Sequence, residues 1–215
     1  MWPVKLLYDI SMEITPDMPV YKGQEEKRPK FRVTSNHEKA STYQTTITID
    51  MHTGTHIDAP LHMIKDGATM ECFQLENIFS NCLVLNLTDV EEGITSDDLK
   101  KAEVNSNIEI RNNEVVLLQT KNSYQRRDKN FIYLAESGAE YLVEKGIIGV
   151  GIDTPGIERA QEGHPTHKKL LSNEVFIVEG LVLKDVLPDR YQLMLVPIKI
   201  NVEAASARAF LLENK

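Results

Sequence analysis

Apolar positions along this chain fall mostly in short runs, at the spacing of strands rather than helices. KLLYDIS (5–11) predicts a first strand. YQTTITIDM (43–51) alternates, with Ile47, Ile49 and Met51 on one side and Thr48 and Asp50 on the other. That is the pattern of a half-buried strand, and it delivers the chain to His52. CLVLNL (82–87), NEVVLLQT (113–120), IIGVGID (147–153), VFIVEGLVL (175–183) and LMLVPIKI (193–200) are apolar runs that predict more strands, some of them central. Two helices are predicted. TSDDLKKAEV (95–104) opens with a capping residue and acids. Ser137 and Glu140 precede Tyr141-Leu142-Val143 in a capping-box pattern, and Gly146 supplies the left-handed stop.

Strands and helices interleave, so the class is α/β. Many strands and few helices predict a mixed sheet curled into a barrel-like core with peripheral helices. Residues 14–42 are rich in Pro and charge, weakly periodic, and predict a long surface excursion. No repeat or low-complexity tract interrupts the chain. With 215 residues, 41% of them hydrophobic, the simplest organisation is one domain over 1–215.

Charge narrows the partners. The formal net charge is −8, which argues against non-specific nucleic-acid binding and attachment to anionic membranes. A small anionic ligand would need a local positive group or a metal. No apolar run approaches the roughly 18 residues of a membrane helix. MWPVKLLYDIS lacks a basic stretch followed by a long apolar one, so no signal peptide is expected. Cys72 and Cys82 make no disulfide framework and read as ordinary buried side chains, which favours a cytoplasmic protein.

The chemistry concentrates in HTGTHIDAPLH (52–62), which holds three of the six histidines. Divalent transition metals take neutral imidazoles and carboxylates that converge at about 2.0–2.2 Å. Gly54, the flanking threonines and Pro60 are poor helix residues, so a strand ending at Met51 and a tight turn at Gly54 are expected. His52, His56, Asp58 and His62 are candidate ligands, and the absence of cysteine leans toward a catalytic rather than a structural site. Asp50 reads as a strand-face acid. Glu179, flanked by apolar residues in VFIVEGLVL, needs a partner for its buried charge, either a metal or an Arg or Lys. His164 and His167 lie in the polar stretch EGHPTHKKL (162–170) and either could join the site. Asp153 ends its strand where α/β sheets place functional groups, or starts the turn at Thr154-Pro155-Gly156. His37 carries no role.

HTGTHIDAPLH resembles the signature of the Putative cyclase family, which includes bacterial kynurenine formamidases. GVGIDTPG (149–156), His167 with Glu179 in its IVEG context, and ITPDMPVY (14–21) are similar to further segments of that family. The resemblance implies a swivelling β/β/α barrel, found as a homodimer or larger oligomer, with two divalent metals per chain, usually Zn²⁺, with Mn²⁺ as the other choice. His52, His56 and Asp58 would hold the first metal. Asp58 and Glu179 would bridge, His167 would complete the second, and His62 would move the proton. Tyr21 in PVYKGQ stands where the family's loops carry a tryptophan, and would contact substrate.

The expected activity is hydrolysis of a small amide-type substrate, as in an arylformamidase, with metal-activated hydroxide attacking and His62 as proton shuttle. A single-metal lactam hydrolase, cyclase or dehydratase is the second enzyme reading. A non-catalytic metal-binding protein is the third, and His62, a spare base beside the ligands, argues against it.

Overall fold

The computed structural model describes residues 5–125 and 129–214. The strands in chain order are β1 (Leu6–Asp9), β2 (Lys30–Ser35), β3 (Gln44–Thr48), β4 (His56–Asp58), β5 (Phe79–Asn86), β6 (Gly93–Ile94), β7 (Val115–Gln119), β8 (Tyr133–Leu134), β9 (Gly149–Ile152), β10 (Phe176–Glu179), β11 (Arg190–Pro197) and β12 (Ala204–Leu212). The helices are α1 (Ser96–Ser106), α2 (Glu136–Glu144) and α3 (Pro165–Leu171).

The apolar runs close into a ring. Strands pair in the order β12-β11-β5-β7-β9-β10-β4, and β4 returns to β12, giving a seven-stranded barrel. The quartet β5, β7, β9 and β10 is parallel. Parallel neighbours need crossovers, and α1, α2 and α3 fill them along one side of the sheet. The crossovers explain why β7 is buried along its whole length. Val115 and Leu117 point into the barrel with Val84, Val178, Ile57 and Leu193. Val116 and Leu118 point out, toward Leu99, Leu142 and Leu170 of the helices. A strand with both faces buried reads as a continuous apolar run. The barrel-like mixed sheet with outer helices is therefore what the sequence led us to expect.

Five local readings are revised. Residues 14–42 are not plain excursion, because β2 lies inside them and pairs antiparallel with β3. The alternating run 43–51 forms a strand, but β3 is exposed throughout, so alternation there marks a projecting hairpin rather than a core face. The stretch 162–170 is not a loop: Pro165 takes the first turn of α3, and Leu170 and Leu171 drive it onto the core. The Ser137 capping box does not form. Pairing of β8 with β6 and the bond from Ala135 N–H to the Ile94 carbonyl (3.0 Å) fix the chain's approach, so α2 starts earlier, at Glu136. The cap on α1 does form, with Thr95 Oγ1 accepting from Asp98 N–H and the Asp98 carboxylate accepting from Thr95 N–H. Cys82 is buried as expected, whereas Cys72 is exposed.

β4 is too short to have been visible as a strand, yet it closes the barrel. Its register sets Glu179 opposite His56 and Ile177 opposite Asp58. On its other edge Ser206 faces His56 and Ala204 faces Asp58. Ile57 and Val178 point into the barrel. Successive side chains alternate faces, so His56, Asp58 and Glu179 all emerge on the outer face, where α3 packs against β10.

Gly180 locks this arrangement. Its φ is +68°, and a Cβ there would overlap the carbonyl oxygen of Gly54. Gly180→Ala should therefore cost about 2–3 kcal/mol in strain, roughly a 4–12 °C fall in Tm for a chain of this size. Scanning calorimetry of the two proteins measures it; an unchanged Tm would contradict the close approach.

Candidate metal centre

Three strand positions, two turns and helix α3 bring the titratable groups together. His52 lies in the turn before β4, and its N–H donates to Asp50 Oδ1 at 2.9 Å, which gives the strand-face acid of the sequence reading a local holding role. Gly54, at φ +71°, makes that turn. Its carbonyl lies 2.9 Å from His56 Nδ1, which fixes the ring so that Nε2 faces the centre. Thr55 Oγ1 donates to the Gly180 carbonyl (2.7 Å) and accepts from Met12 N–H (2.8 Å), tying the segment to both neighbours.

The donor atoms form a triangle. His52 Nδ1 to His56 Nε2 is 3.3 Å, His56 Nε2 to Asp58 Oδ1 is 3.4 Å, and His52 Nδ1 to Asp58 Oδ1 is 3.0 Å. A tetrahedral ion with bonds of about 2.0–2.1 Å has ligand–ligand edges of about 3.3–3.4 Å. The triangle thus has the dimensions of one face of a zinc-sized coordination shell. Glu179 joins it, with Oε2 3.4 Å from His56 Nε2 and Oε1 3.5 Å from His167 Nε2. His167 Nε2 is 3.9 Å from Asp58 Oδ2. Each carboxylate therefore presents one oxygen toward His56 and the other toward His167.

Burial makes the arrangement costly without a cation. His56 is fully buried, and Asp58, His167 and Glu179 are all buried beside it. Neither Asp58 oxygen accepts a hydrogen bond of acceptable geometry. Glu179 Oε1 accepts one, from Ile157 N–H at 2.5 Å. Among the described residues, no Lys or Arg pairs with Asp58 or Glu179, and the groups facing them are imidazoles. A buried, unpaired carboxylate beside nitrogen donors fits a divalent cation.

The titration behaviour follows. Burial disfavours the charged form of His56, but the Asp58 and Glu179 carboxylates outweigh it and raise its pKa to about 10. Burial likewise opposes charge on His167, and Glu158 with Glu179 lifts it to about 10. For Asp58 burial works upward, but His52 and His56 hold it well below the usual carboxylate range. His62 goes the other way: burial lowers it to about 4 despite the pull of Asp58. Burial thus favours its neutral ring, so His62 does not titrate near neutrality as an unperturbed imidazole would.

His62 follows β4 on the turn Pro60–His62, its ring centroid 4.0 Å from that of His52 and 5.6 Å from that of His167. His62 also falls with Asp58 and His167 in a group close enough to hold an ion. His164 sits at the mouth of α3, exposed and left-handed (φ 55°), with Nδ1 3.8 Å from Glu158 Oε2. Tyr21 lies beside Phe131, ring centroids 5.9 Å apart, and against Gly156. Asp153 is not at the centre. It accepts from Thr120 and Ser123 and ties the ends of β7 and β9 together, and burial raises its pKa to about 6.

Sequence reasoning missed Glu158. Its Oε2 lies 2.6 Å from His167 Nδ1, a carboxylate that orients a ligand-type histidine. No periodicity in TPGIERAQ marks it, since its partner comes from a helix read as loop. A cavity of about 520 Å³, lined by Met70, Phe73, Leu171 and Phe176, touches the centre only at Asp58.

Comparison with known proteins fits this geometry. The profile of the family described as "Putative cyclase" matches residues 8–159. A protein named kynurenine formamidase from Erythrobacter litoralis (strain HTCC2594) is 30% identical over 212 residues, covering 96% of this chain and 94% of its own. A solved structure titled as a potential metal-dependent hydrolase with cyclase activity superposes with TM-score 0.88 at 44% identity, covering 99% of each chain. A second, a predicted metal-dependent hydrolase from Bacillus stearothermophilus, gives TM-score 0.85 at 45% identity over 98% of this chain and 99% of its own.

The pKa directions predict a linkage. His56 and His167 are raised from 6.5 to about 10. Their contribution to stability is complete below about pH 6.5 and disappears as pH rises through about 10. In the chelated protein Tm should fall across that window. A divalent metal held there would replace the protons, so the gap in Tm between loaded and chelated protein should widen with pH. Calorimetry at a series of pH values checks this; a gap independent of pH would contradict it.

Proposed function

The chain belongs to the Putative cyclase family, and on that premise we propose that it is a metal-dependent hydrolase acting on an amide-type C–N bond of a small aryl substrate, in the manner of an arylformamidase. The observation that carries this reading is the cluster of His52, His56, Asp58, His167 and Glu179 at the outer face of β4 and β10, with both Asp58 oxygens buried and without hydrogen-bond partners.

His52, His56 and Asp58 would hold one cation and His167 a second, with Asp58 and Glu179 contributing to both. Two Zn²⁺ per chain is the proposed content, with Mn²⁺ as the alternative. The pairing of one Asp58 oxygen with His52 and His56 and the other with His167 favours two ions over one. Bound divalent metal supplies Lewis acidity toward a carbonyl oxygen and a water that is nucleophilic near neutral pH. The chain's own groups do the rest. Glu158 and the Gly54 carbonyl hold the rings of His167 and His56 in the tautomers that present Nε2. His62, whose neutral form burial favours, would take a proton from the attacking water and pass it to the leaving amide nitrogen. Tyr21 covers the ring of the substrate.

No helix among the described residues is long and apolar enough to cross a membrane. We propose a cytoplasmic enzyme, on cysteine usage, without nucleic-acid or membrane partners, on its net charge of −8. We read the chain as one domain, because β1 near its start pairs with β12 near its end. We also propose self-association as a homodimer. The β2–β3 hairpin supports it: Phe31 and Ile47 are register partners on one face, Val33 lies two residues along, and all three are at least 40% exposed. A two-stranded hairpin with an uncovered apolar face is marginal alone.

Two outcomes are expected. His62→Ala should retain its metal by elemental analysis yet lose about 10²–10⁴ in turnover of formanilide; loss of the metal would move His62 to the ligand set. Sedimentation should find the wild type dimeric and Phe31→Ser/Ile47→Ser shifted toward monomer; a wild type monomeric at every concentration would contradict the pairing.

A further inference from the structure

A positive rim stands beside the centre on an otherwise acidic chain. Residues 22–32 hold Lys22, Lys27, Arg28, Lys30 and Arg32 against Glu25 and Glu26 alone. Two of these cations converge on one aromatic ring. Lys22 Nζ lies 4.9 Å and Lys27 Nζ 5.7 Å from the ring centroid of Tyr21. The backbone bends to allow it: Lys22 is left-handed, φ 52° and ψ 18°, a conformation that costs a non-glycine residue and is retained where surrounding structure imposes it.

The rim is fastened to the metal loop at both ends. The Lys27 carbonyl accepts from Thr53 Oγ1 at 3.2 Å, one residue from His52. Lys27 Nζ is 3.9 Å from Asp50 Oδ2, whose other oxygen accepts the His52 N–H. Tyr21 rests on Gly156, where an added Cβ would come within 2.9 Å of its ring, and the next residue, Ile157, holds Glu179. Arg28 is occupied differently: it donates to the Met18 carbonyl at 2.8 Å and pairs with Glu25 at 2.7 Å. Among the described residues, the one ion pair of Lys27 is the long contact to half-exposed Asp50, and Lys22 makes none.

We infer that Lys22 and Lys27 select a substrate bearing a carboxylate on or beside its aromatic ring, holding the anion at the rim while the amide carbonyl reaches the metal centre. Resting on the amide-hydrolysis reading, this adds the charge of the substrate and the residues that read it. An ammonium pair over Tyr21 suits an aromatic acid: the ring meets Tyr21 and the anion meets the cations. On a chain of net charge −8, a local positive rim also concentrates such anions at the mouth.

The test compares metal-loaded wild type, Lys27→Gln, Lys22→Gln and Lys27→Arg on formanilide and its 2- and 4-carboxylates. Calorimetric binding of 4-aminobenzoate and of aniline provides a readout independent of turnover. Wild type should favour a carboxylate over formanilide in kcat/KM, and the ratio should fall with added salt. Each Gln variant should lower that ratio about tenfold, while Lys27→Arg keeps most of it. Binding of 4-aminobenzoate, but not aniline, should weaken in parallel. A ratio unmoved by either Gln variant overturns the inference and leaves hydrolysis standing. Absence of turnover on all three substrates, with Lys27-dependent binding of 4-aminobenzoate intact, overturns the hydrolysis reading and leaves the rim standing.

Discussion

Two carboxylates buried side by side without a fixed cation are the constraint around which this molecule is organised. Asp58 and Glu179 lie diagonally on the same outer face of the paired strands β4 and β10, and the chain brings no lysine or arginine to them among the described residues. Isolated charges of that kind cost several kcal/mol each. Imidazoles fill the gap in two ways. Protonated, they lend positive charge, which is why His56 and His167 hold their protons to about pH 10. Neutral, in the proposed function, they would ligate a divalent cation that neutralises the acids more completely. The same four side chains therefore describe both a metal-free protein that depends on protons and a metal-loaded one that does not.

The fold exists in a form that makes this cluster unavoidable. A three-residue strand, β4, closes the barrel by pairing with both β10 and β12. Alternation sends Ile57 inward and His56 and Asp58 outward, and the same parity sends Val178 in and Glu179 out. The outer face there lies beneath α3, which carries His167 down onto it. Gly54 and Gly180 let the two backbones approach closely enough for these side chains to meet.

Much of this was legible in the sequence because the physics is local. The apolar runs of β5, β7, β9 and β10 announce strands buried on both faces, and HTGTHIDAPLH announces candidate ligands by residue type alone. What stayed hidden depends on tertiary contact. The exposed β3 looks like a core strand because its partner β2 completes an amphipathic hairpin that projects from the body. α3 looks like a loop because it is two turns long and its only apolar residues come at its end. With α3 unread, neither the choice of His167 over exposed His164 nor the support from Glu158 could follow from spacing. His62 was placed by residue type, but burial sets its protonation state, and burial is a property of the folded chain.

The most direct test of the account is turnover of an aryl formamide by the purified chain, followed through removal of metal by a chelator and its restoration, with metal content measured by elemental analysis at each stage. The account predicts activity that falls with the metal and returns with Zn²⁺ or Mn²⁺, saturating near two ions per chain. Activity that persists in metal-free protein would contradict it.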